Sequence, residues 1–242
     1  IMLFTGSVMV IFLVTTVSFT YLLLRDLQKN LLSYLSTDVN VLSFAIESMK
    51  QSTLSDAEVF SQNPIIQEAV TNRDRKTLRE QSSSYLLTKK QSLLVVTTSK
   101  GEVLMRGEDP EKTGDSLSED PLVKRAILGD KISTIVTKDA ALAPELSVRS
   151  LTPIKVGEEI IGVVIVGTKI DNSFVDGIKA ATELETAVYG NNIRSATTIV
   201  AADGKSRYVG IKEESEEIKR KVLDEGKTFT GPVTILNTPY FA

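Results

Sequence analysis

Two arginines stand in predicted β-strands where an apolar core would have none. Arg106 shares a strand face with Leu104, and Arg149 shares one with Ser147 and Leu151, because alternate residues of a strand point to the same side. A guanidinium among apolar residues requires a partner. A carboxylate suits it, because the planar fork can donate two parallel hydrogen bonds. These residue types therefore point to carboxylate partners for both arginines.

Polar residues near the two arginines extend this chemistry. Ser147 and Lys138 offer further donors to an anion. Asp109 would repel an anionic ligand, unless it pairs with Arg106 or contacts an ammonium group. The alternative is that Arg106 pairs with Asp109 or Glu108 as a surface ion pair of little consequence.

Composition excludes several function classes. The chain has 242 residues with no cysteine and no histidine, which rules out disulfides, thiol nucleophiles, Ser-His-Asp triads and imidazole-ligated metals. A hydrolase would need lysine or a carboxylate as its base, and no Ser-x-x-Lys motif supports one. The glycines form no phosphate-binding motif. A net charge of −3 argues against a nucleic-acid partner. We expect no cofactor and no catalysis.

The N-terminal segment predicts a membrane anchor. Residues 1–24 carry no charged side chain and, as a helix, would be about 36 Å long, enough to cross a hydrocarbon core of about 30 Å. A cleavable signal peptide is an alternative, but no small-residue cleavage site follows Leu24. A pilin-type helix is another, although such helices usually carry a glutamate near their start, where this chain has Thr5. The first residue is isoleucine, so we expect a longer native chain.

A long helix is predicted for residues 25–62. Its apolar residues recur at spacings of three and four, which is typical of a coiled-coil seam or of a stripe that packs on a domain. The stripe within residues 32–49 therefore predicts either a homodimer contact or packing on the chain's own domain. Both interpretations stay open at this stage.

A first α+β lobe is predicted for residues 63–171. Two short helices near 64–72 and 74–90 precede a change to strand periodicity at Ser92. A helix over Asp120–Leu128 interrupts the strands, and we expect the helices to cover one face of the sheet. The predicted strands are Leu93–Thr98, Glu102–Arg106, Lys131–Lys138, Leu146–Ile154 and Ile160–Lys169.

A second, similar lobe is predicted for residues 172–242. A helix over Asn172–Glu183 opens it, and an amphipathic helix over Glu213–Asp224 separates its strands. Arg194 and Thr197 are candidates for lining a smaller cavity there, although a structural role is the favoured interpretation. Because the order of elements repeats that of the first lobe but stops before the last strand, we expect this lobe to be incomplete. The predicted strands are Glu185–Tyr189, Ser195–Ala201 with a continuation at Arg207–Ile211, Thr228–Leu236, and Tyr240 onward.

Several short motifs, taken in order, resemble the Cache family of extracytoplasmic sensor domains. The resemblance covers residues 27–242 and extends to the second module of double-Cache receptors. The first lobe contributes Val103-Leu104-Met105-Arg106, Asp109-Pro110, Gly114, Pro121, Ala126, Gly129, Leu151-Thr152-Pro153-Ile154, Gly157 and the run Ile161–Gly167. The second contributes Arg194–Thr198, Asp203-Gly204-Lys205, Gly226–Gly231 and Pro239–Ala242.

The resemblance implies a PAS-like fold, an antiparallel sheet flanked by helices and led by a long N-terminal helix. Citrate- and dicarboxylate-sensing kinases of this family place arginines at points that match Arg106 and Arg149, which makes both candidate anion ligands. Those sensors carry a histidine where this chain has Asp109. The amino-acid receptors typically use a tryptophan, which is absent here.

Together these features predict the ligand-sensing region of a bacterial transmembrane receptor. We expect the lobes on the periplasmic side of the inner membrane, with the first lobe distal and the second proximal. The expected ligand is a small carboxylate or amino acid, and its binding is expected to shift the long helix. Output domains in this family are histidine kinases, chemoreceptor signalling domains or cyclic-nucleotide enzymes. The alternative is a dimeric spacer module that binds no ligand.

Overall fold

The structure is a computed structural model that describes the backbone of residues 2–242 and the side chains of residues 12–27 and 39–242. A π-helical turn spans Arg220–Asp224. The α-helices are α1 Met2–Ser61, α2 Pro64–Thr71, α3 Arg75–Lys89, α4 Pro121–Ile127, α5 Asn172–Thr182 and α6 Glu216–Lys219. The strands are β1 Leu93–Thr98, β2 Val103–Arg106, β3 Ile132–Lys138, β4 Glu145–Val156, β5 Glu159–Ile170, β6 Ala187–Gly190, β7 Ile193–Thr197, β8 Pro232–Ile235 and β9 Thr238–Phe241.

Helix α1 joins the predicted anchor segment and the predicted long helix in one continuous element. The side chains of residues 1–11 and 28–38 lie outside the described part of the chain. Among the described residues, no helix combines the length and the hydropathy needed to cross a membrane. The transmembrane prediction for residues 1–24 is therefore not confirmed. The predicted dimer stripe over residues 32–49 falls partly on undescribed side chains and stays a prediction.

The chain divides into two compact units. One comprises residues 44–227, and the other groups the start of α1 with residues 228–242. In the smaller unit, β8 and β9 form a hairpin whose two loop residues, Leu236 and Asn237, both have positive φ, as a tight two-residue hairpin turn requires. The lobe boundary predicted at residue 172 stays a prediction.

A five-stranded antiparallel sheet forms the centre of the larger unit, with strand order β2-β1-β5-β4-β3. All five strands predicted for the first lobe are present, and their bounds shift by two residues or fewer. Gly157, with φ of +60°, makes the tight connection between β4 and β5. Gly162 lets β5 lie close to β1, because a Cβ there would stand 2.2 Å from the carbonyl oxygen of Thr97.

Helices cover both faces of this sheet, so the prediction of helices on a single face is wrong. Ile66 of α2 and Leu78 of α3 are buried on one face together with the later turns of α1. Val123 and Ala126 of α4 are buried on the opposite face. The cause lies in β5, where Val163–Val166 are all buried, because a strand with consecutive apolar residues needs cover on both sides.

The elements after α5 form a smaller arrangement than predicted. Strands β6 and β7 pair as a two-stranded sheet. Lys212 forms a bridge with Ile193 of β7, and Arg207 forms a bridge with Val200, beyond the end of β7. The predicted helix over residues 213–224 begins only at Glu216. Ser215 caps its first turn by accepting a hydrogen bond from the backbone of Ile218, whereas the backbone of Glu213 still pairs with Asn192.

Candidate functional site

The two predicted arginines lie on the same face of the central sheet, the face that α4 covers. Arg106 is the cross-strand partner of Val95, which packs beneath α4. Arg149 pairs with Gly167 of β5 and Thr134 of β3, two residues further along the same face. Three strand spacings separate β2 from β4, so the two backbones are about 14 Å apart. The arginines share a surface but do not start as neighbours.

Arg106 is neutralised within the protein. Its Nη1 donates to Oδ1 of Asp115 at 2.6 Å and to the carbonyl of Lys112 at 2.8 Å, and its Nη2 donates to Oδ2 of Asp115 at 2.8 Å. These bonds raise the pKa of Arg106 and lower the pKa of Asp115. Arg106 therefore forms an ion pair, with Asp115 as partner in place of the expected Asp109 or Glu108, and ligand binding by Arg106 stays a prediction.

Arg149 has no such neutralising partner. The residue is half-buried, and its Nε donates to Oγ of Ser147 at 3.2 Å. No carboxylate among the described side chains lies within salt-bridge distance of its guanidinium. Its cross-strand neighbour Gly167 contributes no side chain beside it. Arg149 thus presents a cation on the sheet face with donors left for an anion.

Two lysines extend the cationic character of this face. Lys138, predicted from sequence, is exposed and pairs across the strands with Glu145. Lys169 was not predicted; it is exposed, and its cross-strand partner is Ser147. Strand alternation therefore places Lys169 diagonally beside Arg149. The register of the β4–β5 hairpin is the signal that would have identified it.

Asp109 lies apart from this cationic surface. It is exposed in the loop after β2, where its carbonyl accepts a hydrogen bond from the backbone of Lys112 at 3.1 Å. Its carboxylate adds to the negative charge that raises the pKa of Arg106. The geometry therefore connects Asp109 with the Arg106 ion pair and not with Arg149.

In the second predicted lobe, Arg194 is 5% exposed and held by two tyrosines. Its Nε and Nη2 donate to the hydroxyl of Tyr189 at 3.0 and 2.7 Å, and its Cζ lies 5.3 and 5.0 Å from the ring centres of Tyr189 and Tyr208. Thr197 is fully buried and donates to the carbonyl of Thr186. These contacts hold both side chains within this part of the chain, and their lining of a cavity stays a prediction.

The opposite face of the sheet carries a polar network that sequence reasoning missed. Asp56 of α1 is 8% exposed; its carboxylate accepts from Nε2 of Gln91 at 2.7 Å and lies 3.2 Å from Nζ of Lys89. Tyr85 donates its hydroxyl to the backbone of Asp56, and burial raises the pKa of this tyrosine to about 12. Helix α1 therefore contacts α3 and the connection before β1 through hydrogen bonds and an ion pair as well as apolar packing.

Comparisons with known proteins show which family the chain belongs to. A family model described as a double sensory domain of two-component sensor kinases matches residues 28–242. A search of curated proteins found no match. The matched family is sensory, which confirms the prediction of a sensor region rather than an enzyme.

Solved structures share the fold at low identity. The periplasmic domain of Vibrio cholerae LuxQ is 13% identical with a TM-score of 0.56, over 85% of this chain and 95% of that one. The sensor domain of the V. cholerae histidine kinase DctB is 11% identical with a TM-score of 0.57, over 88% and 86%. The ligand-binding domain of the Campylobacter jejuni chemoreceptor Tlp3, in complex with 4-methylisoleucine, is 14% identical with a TM-score of 0.51, over 85% and 80%. Because the family model matches residues 28–242, the chain belongs to the double-Cache family of sensory domains.

Proposed function

We propose that this chain is the extracytoplasmic ligand-sensing region of a bacterial membrane receptor and that it binds a small carboxylate-bearing metabolite at Arg149. The observation that supports the proposal most is the half-buried guanidinium of Arg149, which has Ser147 as its hydrogen-bond partner and no described carboxylate within salt-bridge distance. A ligand carboxylate would supply the missing counter-charge through two parallel hydrogen bonds.

Energetics favour Arg149 over Arg106 as the anchor. An anion at Arg106 would compete with Asp115, whose carboxylate already accepts from both Nη atoms. An anion at Arg149 displaces no protein carboxylate, so its full charge-assisted interaction contributes to affinity. Lys169 and Lys138 add positive charge on the same face, which favours anion capture.

The ligand class is a carboxylate or an amino acid. An amino acid would also need an acceptor for its ammonium group. Glu145 shares the face of Arg149, four residues away along β4 or about 13 Å, which suits a long zwitterion better than a short one. Tlp3 was solved with an amino-acid derivative, so both classes belong in a ligand screen.

Helix α1 is the element that we propose transmits the signal. It packs on the sheet with its later turns and continues without interruption toward the N-terminal apolar segment. A ligand that binds two helix positions with different affinity would shift their populations. In this proposal residues 1–24 anchor the receptor in the inner membrane, the lobes are periplasmic, and α1 pairs with a second copy through residues 32–49.

A thermal-shift screen with carboxylates and amino acids tests the binding function. A ligand at 100 times its Kd should add about 2.7 kcal/mol to the free energy of unfolding. Arg149→Ala should remove the shift, whereas the matched control Arg79→Ala, which loses an exposed ion pair with Glu111, should retain it. If no compound stabilises the wild-type protein, the dimeric spacer function replaces ligand sensing.

A further inference from the structure

Three hydroxyl residues lie on the face of the sheet opposite to Arg149, each next in sequence to Arg149 or to one of its cross-strand partners, which together we call the Arg149 row. Arg149, Gly167 and Thr134 are cross-strand partners on the face that α4 covers. The residues next to them in sequence are Ser150, Thr168 and Ser133. Because strand side chains alternate, these three point to the face that α1 packs on. Every strand that meets in the candidate anion site thus presents a hydroxyl to the other side.

Two of these hydroxyls form a hydrogen-bond chain that ends on α1. Ser150, fully buried, donates its hydroxyl to Oγ of Ser133 at 2.9 Å. Ser133 in turn donates to the backbone carbonyl of Lys50 at 3.0 Å. The chain therefore runs from the residue after Arg149 to a carbonyl in the C-terminal part of α1, through two side chains.

The third hydroxyl, Thr168, contacts α1 through the side chain of Thr53. Its Oγ1 lies 3.3 Å from Oγ1 of Thr53 and also hydrogen-bonds Oε1 of Gln91. Thr53 in turn donates to the carbonyl of Met49 at 2.7 Å. Each hydroxyl has one proton, so two protons serve three contacts. Either threonine can donate to the other only by giving up its present acceptor.

We propose that Ser150, Ser133 and Thr168, together the hydroxyl relay, are positioning residues that couple occupancy of the Arg149 site to the position of α1 around residues 50–56. This inference rests on the proposed anion site at Arg149. An anion that draws the Arg149 row of the sheet toward itself moves the hydroxyls behind that row. The relay bonds then lengthen or exchange acceptors on α1.

The polar character of the relay suits a contact that has to move. Hydrogen bonds of this kind exchange partners over short displacements, whereas close-packed apolar side chains resist them. One turn further along α1, Ala57 and Phe60 are buried in the apolar core and hold the helix to the sheet. The relay therefore contacts α1 within residues 50–56, and the turn that follows them is held by the apolar core.

Hydrogen exchange of the α1 amides in the full chain tests the relay without any ligand. Arg149→Ala perturbs the site, and the exchange rates of amides 50–57 report on α1. We expect the perturbation to change these rates by about three- to tenfold in the wild-type background, the range for one exchanged hydrogen bond. In a background that removes all three hydroxyls, Ser133→Ala with Ser150→Ala and Thr168→Val, we expect the same perturbation to change them less than about twofold.

Thr152→Val supplies the matched control background. Thr152 lies two residues after Ser150 on the same face of β4, is 2% exposed, and its Oγ1 has no hydrogen-bond partner among the described residues. The Thr152→Val variant therefore loses a buried hydroxyl that is not part of the relay. In this background the full change in the exchange rates of amides 50–57 after Arg149→Ala should persist. If the triple variant fails to fold, Ser133→Ala with Thr168→Val removes both contacts of the relay with α1.

Two results would overturn the relay. One is an unchanged exchange pattern in α1 after Arg149→Ala in the wild-type background. The other is an equal response in the relay-deficient and Thr152→Val backgrounds. Either result can occur while carboxylates still stabilise the protein through Arg149, so failure of the relay is distinguishable from failure of the proposed binding function.

Discussion

Arg106 and Asp115 form a two-point ion pair, with Nη1–Oδ1 and Nη2–Oδ2 distances of 2.6 and 2.8 Å. Arg106 is mostly covered, with 12% of its side chain exposed, whereas 46% of Asp115 is exposed. The pair occupies one of the two arginines that the sequence assigned to ligand binding. It also ties the loop after β2 back to the sheet.

The Arg106–Asp115 pair should give stability that disappears in acid. The pKa of Asp115 is lowered in the folded state, so its contribution is present above the unfolded value of about 3.9 and is lost as pH falls through the folded value. Because Asp115 is half-exposed, we expect Asp115→Asn to cost only about 0.5–1 kcal/mol at pH 7. Urea unfolding at a series of pH values from 7 down into acid measures this, and a cost that does not fall as the pH drops below the unfolded value would contradict the pair.

Tyr85 should make the protein less stable at high pH. Its folded pKa, raised by burial and by Asp56 to about 12, exceeds the ordinary value of 10.0. Its stabilising contribution is therefore complete below pH 10 and is lost as pH rises toward 12, by on the order of 2 kcal/mol. Denaturant unfolding between pH 9 and 12 measures the slope. The free energy of unfolding of Tyr85→Phe should fall less steeply over this pH range. An equal slope in both proteins would mean that other groups cause the loss.

Lys169 should contribute to anion affinity as a secondary charge. Lys169→Ala removes a cation diagonal to Arg149, and we expect Kd for the carboxylate found in the screen to rise about three- to tenfold. The loss should shrink with added salt, since Lys169 is exposed. Calorimetric titration at low and high salt measures both effects. Lys205→Ala, an exposed lysine in the turn after Asp203, should leave Kd unchanged.

Arg194 should be a stability residue and not a ligand residue. Arg194→Met leaves the Tyr189 hydroxyl without its donor and removes two cation–π contacts, so we expect a loss of about 2–4 kcal/mol. Tyr189→Phe keeps the ring and should cost less. Thermal unfolding measures both losses, while carboxylate affinity at Arg149 should stay the same. A loss of affinity without a loss of stability would reassign Arg194 to binding.

Local patterns in the sequence predicted the strands of the first lobe well. Runs of residues that favour strands, separated by turn residues, identified β1 to β5, and the turn at Gly157 joined the last two in the right place. Such features depend on neighbours in the chain, so they can be read without the fold. The same patterns also carried the family resemblance, which the match over residues 28–242 confirms.

The sequence did not predict which residues form pairs when they lie far apart in the chain. Asp115 is nine residues from Arg106, and two nearer acids, Glu108 and Asp109, were equally plausible partners. The loop path decides among them, and no periodicity encodes that path. The buried contact of Asp56 with Gln91 likewise joins residues from separate elements, which only packing of α1 on the sheet brings together.

The composition of the anion face depends on one extra residue in β5. Val156 pairs with Glu159 and Lys155 with Ile160, but Ile154 pairs with Gly162, so Ile161 forms a bulge. Without it, the hairpin register would place Val166 and Thr168 on the Arg149 face in place of Gly167 and Lys169. The residue types and the strands were readable from the chain. Which side chains meet was decided by a one-residue register shift, because each such shift turns a strand's side chains to the other face.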